Sequence, residues 1–328
     1  MDEPAIIATP QVPSPTPDAP RETPLPVTWA EYRATAVLLG FFVVTILLAV
    51  IFAQPFLDAG LQAFEDPDDA GNSLWYIALI LAFTFVILWI AKRGKKWLIR
   101  LIILAAVGAT VAYVVYPVLN VTLGWDLDLA VGLALVAAAA SVLALYKHPE
   151  WYVIDAVGLL VAAGSAAVFG ISFGLWPVLV LLLGLAIYDA IAVYRTKHML
   201  SLADTVIELR LPVLLVIPKV ANYRFRAEST KMKEARPETK GEREAMFMGL
   251  GDLVMPTILV VSALQFGDAA WGLLPSLGAA VGTLVGFGVL MGYVLKGRPQ
   301  AGLPLLNGGS IVGFLTGLYA ATGSVVFW

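Results

Sequence analysis

Two aspartates stand in stretches that otherwise read as membrane-spanning helices: Asp189, within Leu179–Val193, and Asp252, within Gly249–Val260. A carboxylate in hydrocarbon is costly, so an intramembrane acid marks a functional site by default. Two neighbouring carboxyls in a low dielectric cannot both ionise cheaply, and such a pair holds one proton between its members. One member then takes a proton from water while the other donates to a carbonyl oxygen. That is peptide hydrolysis with no covalent enzyme intermediate, metal or organic cofactor. The same pair of acids also suits a proton- or cation-coupled transporter, or a cation-leak channel.

Few other residues offer chemistry. The chain has no cysteine, which excludes disulfides, thiol catalysis and cysteine-based metal sites. His148 and His198 are the only histidines and both fall in polar connections, so no metal site is expected. Asp155 lies just inside a predicted span, close to Lys147 and Glu150, and reads as an interfacial side chain.

The elements that position the two acids follow from composition. The chain has 328 residues, 59% apolar and 14% charged, against about 25% charged in a soluble domain. It reads as an all-α polytopic membrane protein with the lipid bilayer as its solvent and no nucleic-acid partner. Residues 1–30 form a tail in which prolines recur from Pro4 to Pro26, and it reads as disordered. It lacks the basic and apolar regions of a signal peptide. Nine spans are predicted, near 36–57, 74–91, 97–119, 129–146, 152–169, 175–194, 247–266, 271–295 and 303–325. Helices one to six thus occupy 31–194, a connection 195–246, and helices seven to nine 247–328. The glycines of the later spans form no evident repeat.

Charge orients this plan. With nine spans, all 21 lysines and arginines fall in one set of connections, and the opposite set carries only acids, Asp58, Glu65, Asp66, Asp68, Asp69, Asp126, Asp128 and Asp268. The positive-inside rule puts the N-terminus in the cytoplasm and the C-terminus outside, as in a multi-pass protein of the cell membrane. The long cytoplasmic connection has three parts. His198–Leu209 has helical spacing and suits a short interfacial helix. Val213, Leu214, Leu215, Val216 and Ile217 are apolar, rich in β-branched residues and bracketed by Pro212 and Pro218, which suits a strand. Residues 219–244 are half charged and read as a solvated loop.

This topology sets both acids roughly 9–12 Å from the cytoplasmic charges at 1.5 Å per helical residue. Antiparallel neighbours would hold them at one depth. Ala186, Ala192, Gly249 and Gly251 let backbones approach. Pro256, four residues after Asp252, has no N–H for the Asp252 carbonyl and leaves the backbone open to water. A working dyad needs carboxyls on the order of 5–7 Å apart, by analogy with other two-carboxylate hydrolases.

At these residues the chain resembles the presenilin and signal-peptide-peptidase family of intramembrane aspartyl proteases. The matches are Tyr188-Asp189 and Gly249-Leu250-Gly251-Asp252, with nine spans and a long connection between the sixth and seventh. The orientation is similar to the presenilin branch and suits an archaeal homologue. The family's third motif, Pro-Ala-Leu, is represented by Ala301-Gly302-Leu303 followed by Pro304, with its first proline lost. The resemblance implies a presenilin-like fold, catalytic Asp189 and Asp252, supporting roles for the other motif residues, and no cofactor. It also implies a substrate that is a transmembrane helix of another protein, unwound before cleavage. From its β-branched composition between prolines, Val213–Ile217 offers a strand edge for that unwound segment, or else is a re-entrant or loop-packing segment.

Overall fold

A computed structural model of the chain describes residues 28–196, 213–220, 223–225, 244–267, 271, 273–296 and 300–326. The proline-rich tail, the predicted helix at His198–Leu209 and most of the charged loop lie outside these residues.

Long helices dominate: α1 Trp29–Asp58, α2 Ala70–Lys92, α3 Lys96–Pro117, α4 Leu127–Lys147, α5 Trp151–Ser172, α6 Leu175–Ile191, α7 Leu250–Gln265, α8 Leu274–Val294 and α9 Gly302–Thr322. Seven of them, α1, α3, α4, α5, α6, α8 and α9, are long and apolar enough to cross a membrane, and α2 and α7 include shorter apolar helices. Helix α1 begins seven residues before the predicted span because Thr28 and Glu31 form a reciprocal capping box. The α5–α6 corner needs only Phe173 and Gly174. There the Gly174 N–H donates to Pro67 O at 2.8 Å, and a Cβ on Gly174 would strike Asp68 at 2.0 Å.

Strand β1, Leu214–Pro218, pairs antiparallel with β2, Ala245–Gly249, in the register Leu214↔Gly249 to Pro218↔Ala245. The predicted seventh span starts later than expected because its first residues are β2. Bonds from Lys219 N–H to Glu244 O and from Leu250 N–H to Val213 O flank the ladder. The hydrogen-bonded positions of β1 are therefore the odd ones, and Leu214, Val216 and Pro218 turn their backbone groups away from β2. The ribbon sits on α5. Val216 N–H donates to Asp155 Oδ1 at 2.8 Å, and Gly158 gives room to Leu250 and Leu215, where a Cβ would lie 3.1 Å from Leu250 Cδ2. Asp155 is thus 4% exposed and bonded to a strand, a correction to its interfacial reading.

The interior is built from α1, α5, α6, α7 and α9 around Phe52, Ala162, Ala166, Leu181, Leu182, Ile258 and Phe314. A second cluster, with the Phe42 and Phe287 rings tilted at 51° and 5.0 Å apart, joins α1, α8 and the ribbon. Helices α8 and α9 share the most extensive helix contact, and its cause is a glycine repeat that the sequence reading missed. Gly278, Gly282 and Gly286 on α8 face Gly309, Gly313 and Gly317 on α9, each set spaced by four. Without side chains between them, the backbones touch: a Cβ on Gly313 would fall 2.0 Å from Gly278 O, and one on Gly282 2.1 Å from Gly309 O.

Candidate active site

Asp189 lies in the last turn of α6, 3% exposed, just before a π-helical turn at Ala192–Thr196. Asp252 lies in the first turn of α7 and is half-buried. Its helix is capped by Gly249, the last residue of β2, so the strand delivers the chain directly to the acid. The third element is the start of α9, capped by Ala301, with Gly302, Leu303 and Pro304 in its first turn.

These three elements meet. Leu303 N–H donates to Asp189 Oδ2 at 3.1 Å. On the neighbouring residue, a Cβ at Gly302 would lie 3.2 Å from both carboxylate oxygens of Asp252. Both carboxyls therefore border the Gly302–Leu303 peptide. The links through that peptide hold Asp189 Oδ2 and the nearer Asp252 oxygen within about 10 Å of each other.

The first turn of α9 accounts for its own amides. A helix N-terminus leaves four N–H groups without helical partners. Ala301 N–H reaches Tyr194 Oη at 3.4 Å, Leu303 N–H is on Asp189, and Pro304 has none. Gly302 N–H also points to the Asp189 carboxyl. The positive end of the α9 dipole thus faces the pair, and Asp252 occupies the equivalent place on its own helix. Pro256 sits inside α7 as expected, leaving the Asp252 carbonyl without its i+4 donor.

Other residues fix this meeting point, and the sequence reading passed over them. Asn307, fully buried on α9, donates from Nδ2 to Leu182 O of α6 at 3.0 Å. Ser310 Oγ donates to Pro256 O of α7 at 3.3 Å. Tyr194 Oη also bonds the Gln300 side chain, so the π turn after Asp189 is tied to the residues before α9. Asn307 carried a signal in sequence, as an uncharged polar group deep in an apolar span. Tyr194 carried none, because an aromatic at a span end is ordinary belt chemistry.

The remaining motif residues are less central. Tyr188 is 41% exposed, and no hydrogen bond joins it to either aspartate among the described residues. Leu250 packs on Gly158, and a Cβ on Gly251 would meet nothing within 4 Å. On the β1 edge, within Val213–Ile217, Asp155 engages the central outward N–H, that of Val216. Among the described residues no group of His, Asp or Glu is arranged to hold a metal.

The geometry has counterparts in known proteins. The family model described as signal-peptide peptidase, presenilin aspartyl protease matches residues 39–323. A structure of a presenilin family intramembrane aspartate protease in the C222 space group is 37% identical, with TM-score 0.65 over 88% of this chain and 99% of that one. One in the P2 space group is 38% identical, with TM-score 0.63 over 90% and 99%. No curated protein matches the chain.

Proposed function

The chain belongs to the signal-peptide peptidase and presenilin aspartyl protease family and is an intramembrane aspartate protease; on that premise we propose that Asp189 and Asp252 are its catalytic dyad. The observation that carries the assignment is the Gly302–Leu303 peptide, which both carboxyls border. Transport by the same acids has no comparable support.

The mechanism follows from the hydrogen bonds. The pair shares one proton. Leu303 N–H favours charge on Asp189. Asp189 then takes a proton from water as the hydroxyl adds to the scissile carbonyl carbon. Asp252 gives its proton to the carbonyl oxygen, yielding a neutral diol. On collapse, Asp189 returns a proton to the leaving nitrogen, Asp252 recovers one from the diol, and the C–N bond breaks. The dipole end of α9 stabilises the charge that moves between these groups.

The substrate is a transmembrane segment of another protein, opened locally because an intact helix hides its carbonyls in i→i−4 bonds. All nine helices α1–α9 are taken as crossing the membrane, with a cytoplasmic N-terminus, on the one-sided distribution of lysine and arginine. The opened segment is placed on the β2 side of the ribbon, the side that runs into Gly249 and Asp252. The outer edge of β1 is a poorer place. Of its outward positions, Val216 N–H is engaged by Asp155 and Pro218 has no N–H.

Replacing either acid separately tests the dyad. Asp189→Asn and Asp252→Asn should each abolish cleavage of a reconstituted single-span substrate while the protein remains folded. Hydrolysis at more than roughly a hundredth of the wild-type rate in either variant, about 2.7 kcal/mol of barrier, contradicts the assignment.

A further inference from the structure

The dyad uses buried Asp189 and half-buried Asp252, and another buried acid, Asp155, stands outside it. Asp155 is 4% exposed in the first turns of α5. Its Oδ1 holds Val216 N–H at 2.8 Å, and its Oδ2 is buried with no hydrogen-bond partner among the described residues. Half of a costly group is thus left unsatisfied. An apolar side chain would fill the same space without that cost, so what Asp155 gains the protein is its one bond to the strand.

That bond has two consequences. Val216 is the central outward position of β1, where an incoming strand would otherwise find its donor. A carboxylate oxygen there stands in for the carbonyl of a neighbouring strand and closes the edge. The bond also anchors the ribbon. From Val216 the strand runs back to Val213, whose carbonyl accepts Leu250 N–H at 3.1 Å, and Leu250 is two residues before Asp252. Gly158, three residues after Asp155 on the same face of α5, receives Leu250 from the other side. The height of Asp252 against α5 is therefore set at Asp155 and Gly158.

We propose that Asp155 is a positioning residue for the cleavage reaction: by holding the outward N–H of Val216 it closes the β1 edge to substrate and fixes the ribbon that carries Asp252, and so sets which peptide bond is cut. The inference rests on the reading that an opened substrate segment lies beside the ribbon.

Four variants and one readout test it, the readout being kcat and KM together with the distribution of cleavage positions by mass spectrometry. Asp155→Asn keeps an acceptor for Val216 N–H and should keep the wild-type product pattern. Asp155→Leu removes the acceptor; products should spread to neighbouring bonds and kcat should fall roughly ten- to hundredfold. Val216→Pro deletes only an outward N–H and no ladder bond, so it should reproduce the Asp155→Leu pattern. The double variant should be no worse than Val216→Pro alone. A wild-type product pattern in Asp155→Leu or Val216→Pro overturns the proposal, as does a double variant whose losses add. Were Asp155→Leu not to fold, Val216→Pro decides alone, because it leaves Asp155 in place. Failure of the underlying substrate reading looks different: the wild-type protein would cut a substrate stapled as a helix across its scissile turn as fast as the unstapled one, whatever the Asp155 series gives.

Discussion

Substituting Gly313 by alanine places a methyl group where no space exists. Its Cβ would lie 2.0 Å from Gly278 O, 2.8 Å from Gly278 C and 2.9 Å from Gly282 Cα. All three are backbone atoms, so no rotamer change relieves the contact. Ordinary packing puts carbon and oxygen about 3.4 Å or more apart, and α8 and α9 would have to part by roughly 1 Å or more. Overpacking of this kind costs about 1–3 kcal/mol. The displacement also reaches the site, because α9 is one helix from Gly302 to Thr322 and its first turn holds Asp189 through Leu303. That bond is 3.1 Å long, and a shift of a few tenths of an ångström beyond 3.5 Å breaks it. A hydrogen bond to a charged group contributes about 1.5–3 kcal/mol, so losing it in the transition state should lower kcat roughly ten- to hundredfold. Gly308→Ala is the control, since its Cβ would meet nothing within 4 Å on the same helix. The assay is steady-state cleavage of a reconstituted single-span substrate, beside thermal unfolding of the purified protein. Gly313→Ala should lose both rate and several degrees of unfolding temperature, and Gly308→Ala neither. Equal rates and equal unfolding temperatures for the two variants would refute the argument that the glycine stack sets the position of α9.

Two further outcomes depend on the site itself. Gly302→Ala puts a methyl group 3.2 Å from both Asp252 oxygens, whereas Gly251→Ala has open space; the carboxyl must give by a few tenths of an ångström, so cleavage by the former should fall a few-fold below the latter, about 0.5–1 kcal/mol of barrier, and parity would show that Gly302 does not bound Asp252. The rate should also be bell-shaped in pH, falling at low pH where both carboxyls hold protons and no base remains, and at high pH where both are ionised and no acid remains. A rate that climbs steadily with pH is incompatible with a shared proton.

The pair of acids was legible because each is expensive where it stands, and because the placement of lysine and arginine levels them on the same side. The β1 strand was legible from β-branched residues between two prolines. Its partner was not: Ala245-Met-Phe-Met-Gly249 is an apolar run joined to an apolar helix, and periodicity cannot separate the two. Asp155 was misread for a related reason. Its distance from the span end is that of an interfacial group, and only the strand folded over it makes it buried. The glycine stack escaped because each half alone is a common helical spacing, and its meaning lies in the register of one helix against the other.

The start of α9, where the family's Pro-Ala-Leu pattern has lost its first proline, carries the strongest argument for a site that can hold an opened peptide. Non-helical backbone at membrane depth survives only where protein or a water-lined cavity satisfies it. Around the two aspartates each element departs from regular helix bonding: α6 passes into a π turn after Asp189, α7 begins at Leu250 behind its cap Gly249 and contains Pro256, and α9 begins at Gly302 with Pro304 two residues on. The groups at these ends are backbone amides and carbonyls, of which Ala301 N–H is held by Tyr194, Leu303 N–H by Asp189 and Pro256 O by Ser310. An unwound substrate faces the same deficit, since each opened turn exposes donors and acceptors that lipid cannot satisfy. In the proposed mechanism, broken helix ends beside Asp189 and Asp252 lower that cost where the substrate opens. Proline in place of the first residue of Ala301-Gly302-Leu303 would forfeit only the Ala301 N–H, which is held by Tyr194 Oη at a long 3.4 Å. The departure from the family's Pro-Ala-Leu pattern therefore leaves the working contact, Leu303 N–H on Asp189, in place.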